Sequence, residues 1–221
     1  MQILQGHCPL CSGNVTGNDA LKYYCKRCNI FFDKSHLLKE NKNICTRGTG
    51  LFIGRFQPFH NGHFWAIKEI LKECDHITLA MGSSEKKNTK TDPFSYEERK
   101  AMIEATLKDN NITRYTIVPV PDINNDVLWP GHVRKLVGNF DFVYTGSELT
   151  KKLFLMEGAA VIELPRHEGI SATEIRLRIS KGLKYDDLIP RGTIQVLQQI
   201  NGVERLREKI QEKKRMWESK K

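Results

Sequence analysis

No stretch of this 221-residue sequence approaches the roughly 20 consecutive apolar residues that a membrane helix needs, so no membrane role is expected of it. The opening "MQILQGHCPLC" has neither a basic n-region nor an apolar h-region. No secretory signal is therefore expected, and a cytosolic location is. Two common phosphate cradles are missing as well: there is no G-x-x-x-x-G-K-[ST], and no G-x-G-x-x-G follows the first apolar run. Internal repeats and low-complexity tracts are absent too, which sets solenoids and propellers aside. Hydrophobic residues are few, at 39%, yet sufficient for a core, and the length suits one good-sized domain with a small appendage. Acidic residues are the minority sign: 26 Asp and Glu against 35 Lys and Arg leave a net charge of +9. That excess suits anionic partners, nucleotides or nucleic acid, and equally suits plain solubility.

Cysteines are few but patterned. Cys8-Pro9-Leu10-Cys11 and Cys25-Lys26-Arg27-Cys28 form two C-x-x-C pairs separated by thirteen residues. Two thiolates per pair can share one tetrahedral Zn²⁺ in a closed, structural site. A segment of about 40 residues has too little core to fold without such a staple. Residues 1–43 are therefore expected to be a zinc ribbon held by Cys8, Cys11, Cys25 and Cys28, with residues 44–221 as the main domain. "KYYCKRC" places aromatic and basic residues side by side, so the ribbon is a candidate nucleic-acid contact or a protein-docking module.

Beyond the ribbon, apolar strand-like runs alternate with helical patterns. Strands are expected at Leu51–Ile53, Ile77–Met81, Tyr115–Val120, Phe142–Tyr144 and Val161–Leu164. Helices are expected at Phe64–Lys72, Ser95–Lys108, Pro130–Val137 and Glu148–Glu157, with Ser95 to Glu98 forming a capping box. The alternation predicts an α/β fold, a Rossmann-like parallel sheet with helices on both faces. Ligands of such sheets bind beyond the carboxyl ends of the strands, so the chemistry is expected in the loops that follow them.

The loop after the first of these strands is "GRFQPFHNGH", Gly54 to His63. Pro58 and Gly62 shape a turn into a helix whose start carries His60 and His63, three residues apart and able to face one point. A helix start offers free N–H groups to an anion, imidazole donors add to it, and Arg55 supplies a fork for phosphate oxygens. A metal site at the two histidines lacks a third ligand nearby. "ISATEIR" is a second phosphate element, in which Ser171 and Thr173 present hydroxyls at a helix start and Arg176 lies one turn in. Arg178 is expected to face solvent.

Taken together, "GRFQPFHNGH", "GSS" (82–84), "DPFSYEER" (92–99), "VPVPDINNDVLW" (118–129), "VYTGSELTKKLF" (143–154), "ISATEIRLR" (170–178) and "INGVERLR" (200–207) resemble the H-x-G-H nucleotidyltransferases. In its Gly-Arg-Phe-Gln-Pro-Phe form the set is similar to the archaeal type of nicotinamide mononucleotide adenylyltransferase. The likeness spans about Thr49 to Glu208, and the ribbon lies outside it. It implies a nucleotidyltransferase fold and transfer of AMP from ATP to nicotinamide mononucleotide, giving NAD and pyrophosphate, with Mg²⁺ accompanying ATP. The resemblance implies His60, His63, Arg55 and Arg176 as the catalytic set, and Gly54, Phe56, Ser171, Thr173 and Gly146 around ATP. Ser83, Asp122, Ile123, Asp126 and Trp129 would then hold the mononucleotide, with the indole as a stacking face and backbone groups near Asp122 and Ile123 reading the carboxamide.

The sequence departs from the family pattern in three places. Asp126 stands where Asn is common, Thr145 and Ser147 replace Ser and Asn, and the loop "SSEKKNTKTD" offers Lys87 or Lys90 in place of the usual His and Arg. Asp126 would pair with the pyridinium charge or repel nicotinic acid mononucleotide. The C-terminal "VERLREKIQEKKRMWESKK" is expected to be a solvated helix, or one packing a second copy of the chain. Two other functions fit the same motifs: a nucleotidyltransferase for another phosphorylated acceptor, and a zinc-ribbon nucleic-acid-binding regulator with a nucleotide-sensing domain.

Overall fold

A computed structural model of the chain describes residues 16–18, 22–25, 30–32, 48–164 and 170–208. In the N-terminal segment, β1 (Thr16–Asn18), β2 (Lys22–Cys25) and β3 (Ile30–Phe32) form an antiparallel meander in that order. Cys25 closes β2, while Cys8, Cys11 and Cys28 lie outside the described residues, as does the expected domain boundary near residue 43.

The main domain runs β4 (Thr49–Gly54), α1 (Asn61–Glu73), β5 (His76–Gly82), α2 (Tyr96–Asp109), β6 (Tyr115–Val120), α3 (Trp129–Val137), β7 (Phe142–Thr145), α4 (Glu148–Met156), β8 (Val161–Glu163), α5 (Ala172–Lys181) and α6 (Arg191–Gln199). A helical turn at Asp186–Leu188 precedes α6, and residues 202–208 are helical again. The five strands β4 to β8 are parallel, in the order β6-β5-β4-β7-β8. The chain builds outward from β4 on one side, then crosses back to build β7 and β8 on the other. The loops after β4 and β7 thus part from each other at a switch point, where such sheets bind ligands.

Side chains alternate across the sheet as a period of two requires. Phe52, Leu79 and Tyr144 point into a large core with Ile67 and Ile70 of α1, Met102 and Ile103 of α2, and Ile175 of α5. Leu51, Ala80 and Val143 point the other way, to Val133 of α3 and Phe154 of α4. Both faces are therefore covered, as the continuous apolar runs of the strands foretell. At the foot of β4 the Asp141 carboxylate accepts the Thr49 N–H at 2.8 Å. It lies so close to Gly48 that a Cβ there would stand 2.5 Å from its Oδ2.

The expected strands and the first four helices are present with boundaries moved by a few residues. Helix α6 has no counterpart among the sequence expectations. Of the expected C-terminal helix, residues 203–208 are helical and 209–221 lie outside the described residues.

Candidate active site

The chain leaves β4 through Phe56, which takes a left-handed φ of 52°. Its ring folds back over Gly54, where a Cβ would meet ring carbons at 2.9 Å, so the glycine is needed for the turn. The ring then packs between Phe52 and Phe59, both buried, and builds an aromatic floor for the helix start. Gln57, also buried, pairs both ways with the backbone of Phe94: Nε2 donates to the carbonyl at 2.8 Å and Oε1 accepts the N–H at 3.0 Å.

His60 is the extended N-cap of α1 and His63 is the third helical residue. Each ring caps the other's backbone: His60 Nδ1 accepts the His63 N–H, and His63 Nδ1 accepts the His60 N–H, both at 3.3 Å. The rings stack with centroids 3.5 Å apart and planes 20° off parallel. A neutral imidazole has one donor and one acceptor nitrogen. With both Nδ1 atoms accepting, both protons reside on Nε2. Burial pulls the pKa of His60 down to about 4 and that of His63 well below the usual range, the latter also through the charge of His60. Both rings are thus neutral Nε2–H donors at neutral pH. Gly62 leaves room for the arrangement, since a Cβ there would stand 3.1 Å from His60 Nδ1.

Opposite this helix start lies the start of α5. Ser171 is its N-cap, with Oγ accepting the Glu174 N–H at 3.1 Å. Arg176, buried, donates from Nη1 to the Gln57 carbonyl at 2.7 Å and from Nη2 to Thr173 Oγ1 at 3.3 Å. Burial and the nearby charge of Arg55 hold its pKa below the ordinary guanidinium value. The two helix starts and the loop after β7 enclose a cavity of about 690 Å³ that His60, His63, Gly146, Ser171, Thr173 and Arg176 help to line. Arg178 lines it too, with Nε on Glu174 Oε1 at 2.8 Å, so it does not simply face solvent.

A second cavity, about 390 Å³, opens between the ends of β4, β5 and β6, with Ser83, Asp122, Ile123, Asp126 and Trp129 in its walls. Gly54, expected around ATP, lines this smaller cavity instead. Trp129 opens α3 and meets Phe154 edge-on at 5.8 Å. Asp122 is already engaged: its carboxylate accepts from Ser83 Oγ and Lys86 Nζ, and its N–H donates to Glu85 Oε2 at 3.2 Å. Burial alone would push its carboxyl up, but the hydrogen bonds from Lys86 and Ser83 and the charge of Lys86 hold it below the usual range. The Asp122 N–H is therefore spent within the protein. Lys87 and Lys90 line neither cavity; Lys86 is the lysine of that loop tied to the site. Arg55, Ile53 and Ser147 line both cavities, and of these Arg55 carries charge.

Arg99 is the largest surprise. It is fully buried in α2 and donates to four main-chain carbonyls: Nη1 to Arg55 at 2.8 Å and Gly82 at 3.0 Å, Nη2 to Ser83 at 3.1 Å, and Nε to Ser95 at 3.1 Å. It thereby ties the backbone that carries Arg55 to the backbone that carries Ser83. In sequence it stands four residues after a helix cap among charged neighbours, which is the pattern of a solvated face.

Residues 51–178 match the cytidylyltransferase-like family. The chain belongs to that family. Within it, the sequence is 39% identical over 162 residues to a nicotinamide-nucleotide adenylyltransferase of Thermococcus kodakarensis, covering 72% of this chain and 86% of that one. A protein of the same description from Picrophilus torridus is 37% identical over 158 residues, covering 71% of this chain and 94% of the relative. Among solved structures, the fold is similar to a bifunctional NMN adenylyltransferase/ADP ribose pyrophosphatase from Francisella tularensis complexed with AMP and a Mn ion. The TM-score is 0.65 and the identity 24%, over 78% of this chain and 56% of that one. The matched part of this family member begins in β4 and ends in α5, so it includes both cavities and leaves the N-terminal meander outside.

Proposed function

We propose that this chain is a nicotinamide-nucleotide adenylyltransferase, joining ATP and nicotinamide mononucleotide into NAD with release of pyrophosphate. One observation carries the reading: two cavities of nucleotide size meet at a single arginine, Arg55. ATP occupies the larger and the mononucleotide the smaller. An oxygen of the mononucleotide 5′-phosphate attacks the α-phosphorus of ATP, a new P–O bond forms, and the bond to the β-phosphate oxygen breaks. The attacking monoester is already ionised, so no general base is needed, and catalysis consists of positioning and charge stabilisation. The Nε2–H groups of His60 and His63 donate to the α- and β-phosphate oxygens. Arg55 holds both reacting phosphates at the seam, and Arg176 takes the β- and γ-phosphates with the hydroxyls of Ser171 and Thr173. In the smaller cavity the pyridinium ring lies on Trp129, and Asp126 faces its charge.

Among the described residues no group of three His, Cys, Asp or Glu side chains stands together to cage a metal. A Mg²⁺ bound with ATP would take its ligands from phosphate oxygens and water. When bound, the ion neutralises charge building on the leaving pyrophosphate.

The experiment combines protein, ATP, Mg²⁺ and nicotinamide mononucleotide, and measures NAD and pyrophosphate together. Equal amounts of both are expected. Intact ATP binding without pyrophosphate release would overturn the enzymatic reading in favour of a nucleotide-sensing regulator. Nicotinic acid mononucleotide, run in parallel, is expected to react with a kcat/KM lower by on the order of tenfold, because its extra carboxylate meets Asp126. Equal rates would remove that role from Asp126.

For the N-terminal segment the proposed ligand set is Cys8, Cys11, Cys25 and Cys28 around one structural Zn²⁺. The support is the spacing of the pairs and a meander of three- and four-residue strands, in which Cys25 ends β2 and Cys28 follows in the stretch of sequence before β3. Metal analysis is expected to find one zinc per chain, lost in Cys25→Ser with adenylyl transfer retained. Zinc retained in that variant would exclude the assignment.

A further inference from the structure

Asp92 is buried in the loop between β5 and α2, and the mechanism above leaves it unused. The loop itself fixes the residue. Thr91 Oγ1 donates to Oδ2 at 2.8 Å, the Asp92 N–H donates to Thr89 Oγ1 at 2.8 Å, and the Thr89 N–H donates to the Asp92 carbonyl at 3.1 Å. The second carboxylate oxygen, Oδ1, faces Nη1 of Arg55 at 3.4 Å. Among the described residues this is the one hydrogen bond made by the Arg55 guanidinium. The partners are unequal: the side chain of Arg55 is 55% exposed and that of Asp92 only 6%. An anchored carboxylate therefore holds one end of an arginine whose body reaches both cavities.

The contact is suited to positioning and poorly suited to locking. A guanidinium has five N–H donors, and a bidentate fork on a carboxylate would occupy the face that phosphates need. One long bond from Nη1 leaves the remaining donors available and costs little to surrender. The charge of Asp92 also acts on the other cations around the site, favouring the protonated forms of Arg176, Arg99 and Lys86. Without it, the cavity-lining Arg55 and Arg176, with the buried Arg99 behind the loops, would have no buried carboxylate among the described residues to offset their charge. A more positive site binds pyrophosphate more tightly and releases it more slowly.

Resting on the adenylyl-transfer reading, we infer that Asp92 is a positioning residue for Arg55. It sets the guanidinium at the seam of the two cavities by one nitrogen and offsets enough positive charge for pyrophosphate to leave.

The test compares Asp92→Asn, Asp92→Glu and Thr91→Val with the wild type. Readouts are kcat, KM for ATP, pyrophosphate affinity by calorimetry with Mg²⁺, and the thermal midpoint. Asp92→Asn keeps the shape of the side chain and removes its charge. It is expected to lower kcat by about tenfold while ATP KM and the pyrophosphate dissociation constant both fall by a few-fold. A residue that only supports its loop cannot slow turnover while tightening binding. Asp92→Glu restores the charge one methylene away, so pyrophosphate affinity is expected at the wild-type value with kcat still reduced. Thr91→Val removes the hydrogen bond to Oδ2 and keeps the charge, so pyrophosphate affinity is expected at the wild-type value, with a smaller loss of kcat than in Asp92→Asn. The inference is overturned if Asp92→Asn leaves kcat and pyrophosphate affinity unchanged, if it weakens pyrophosphate binding, or if Thr91→Val reproduces its effects. Should Asp92→Asn fail to melt cooperatively, Asp92→Glu decides alone, and wild-type kcat in that variant overturns the inference. Failure of the wild type to make NAD would sink the adenylyl-transfer reading separately, because the pyrophosphate calorimetry still reports on the charge of Asp92.

Discussion

His60→Asn is expected to fold like the wild type and to lose adenylyl transfer by about 10²–10³-fold in kcat. The substitution separates the two duties of one ring. As N-cap of α1, His60 accepts the His63 N–H through Nδ1, and asparagine is among the best residues for that acceptor role. As donor, it presents Nε2–H to the larger cavity, and asparagine ends too short to reach the same point. His60→Ala loses both duties. It should show the same kinetic loss together with a stability decrease of about 1 kcal/mol from the missing cap. Steady-state kinetics and urea unfolding on the two variants measure the difference. A His60→Asn enzyme with near-wild-type kcat would remove His60 from the phosphate-binding set.

Arg99→Met is expected to cost on the order of 3–5 kcal/mol of stability, lowering the melting temperature by about 10 °C or more. The side chain fits the space but leaves four carbonyls without their donor, three of them in the two loops that carry Arg55 and Ser83. Each orphaned buried carbonyl is worth about 1–3 kcal/mol, and release of a buried charge returns part of the sum. Burial does pull the Arg99 pKa below its ordinary value, yet the neighbouring charges of Asp92 and Glu85 favour the charged form. Lysine cannot substitute, because one ammonium cannot span acceptors spread over two strand ends and a helix start. Arg99→Lys should therefore resemble Arg99→Met in urea unfolding. A melting temperature within a degree or two of wild type in either variant would mean that the four hydrogen bonds carry little weight.

The parts of this fold legible in the sequence are those decided by near neighbours. The strands from Leu51 to Leu164 are read from apolar runs, and the start of α2 from Ser95 and Glu98, whose side chains do cap each other's backbone. His60 and His63 are legible as a pair because three residues of helix bring them together whatever the rest of the chain does. Arg99 escapes for the opposite reason. Three of its four acceptors are backbone carbonyls 44, 17 and 16 residues away, and carbonyls have no sequence signature. Arg178 escapes because which face of α5 meets the cavity depends on where that helix docks, and its pairing with Glu174 is also the pattern of a solvated helix. Helix α6 contains Gly192 and follows Pro190, two residues read as punctuation. Its first turn is instead fitted against α2, where a Cβ at Gly192 would stand 2.5 Å from the Thr106 nitrogen.

The clasp at the foot of β4 has a practical side. Asp141 holds Thr49 at the amino end of the central strand, and the phosphate-binding turn begins at its carboxyl end. At about 3.3 Å per residue, six residues of strand separate the two by roughly 20 Å. A tag, a reporter or another domain joined ahead of Gly48 is therefore expected to leave adenylyl transfer unchanged so long as the Gly48–Asp141 contact is kept, and steady-state kinetics of such a fusion would check it.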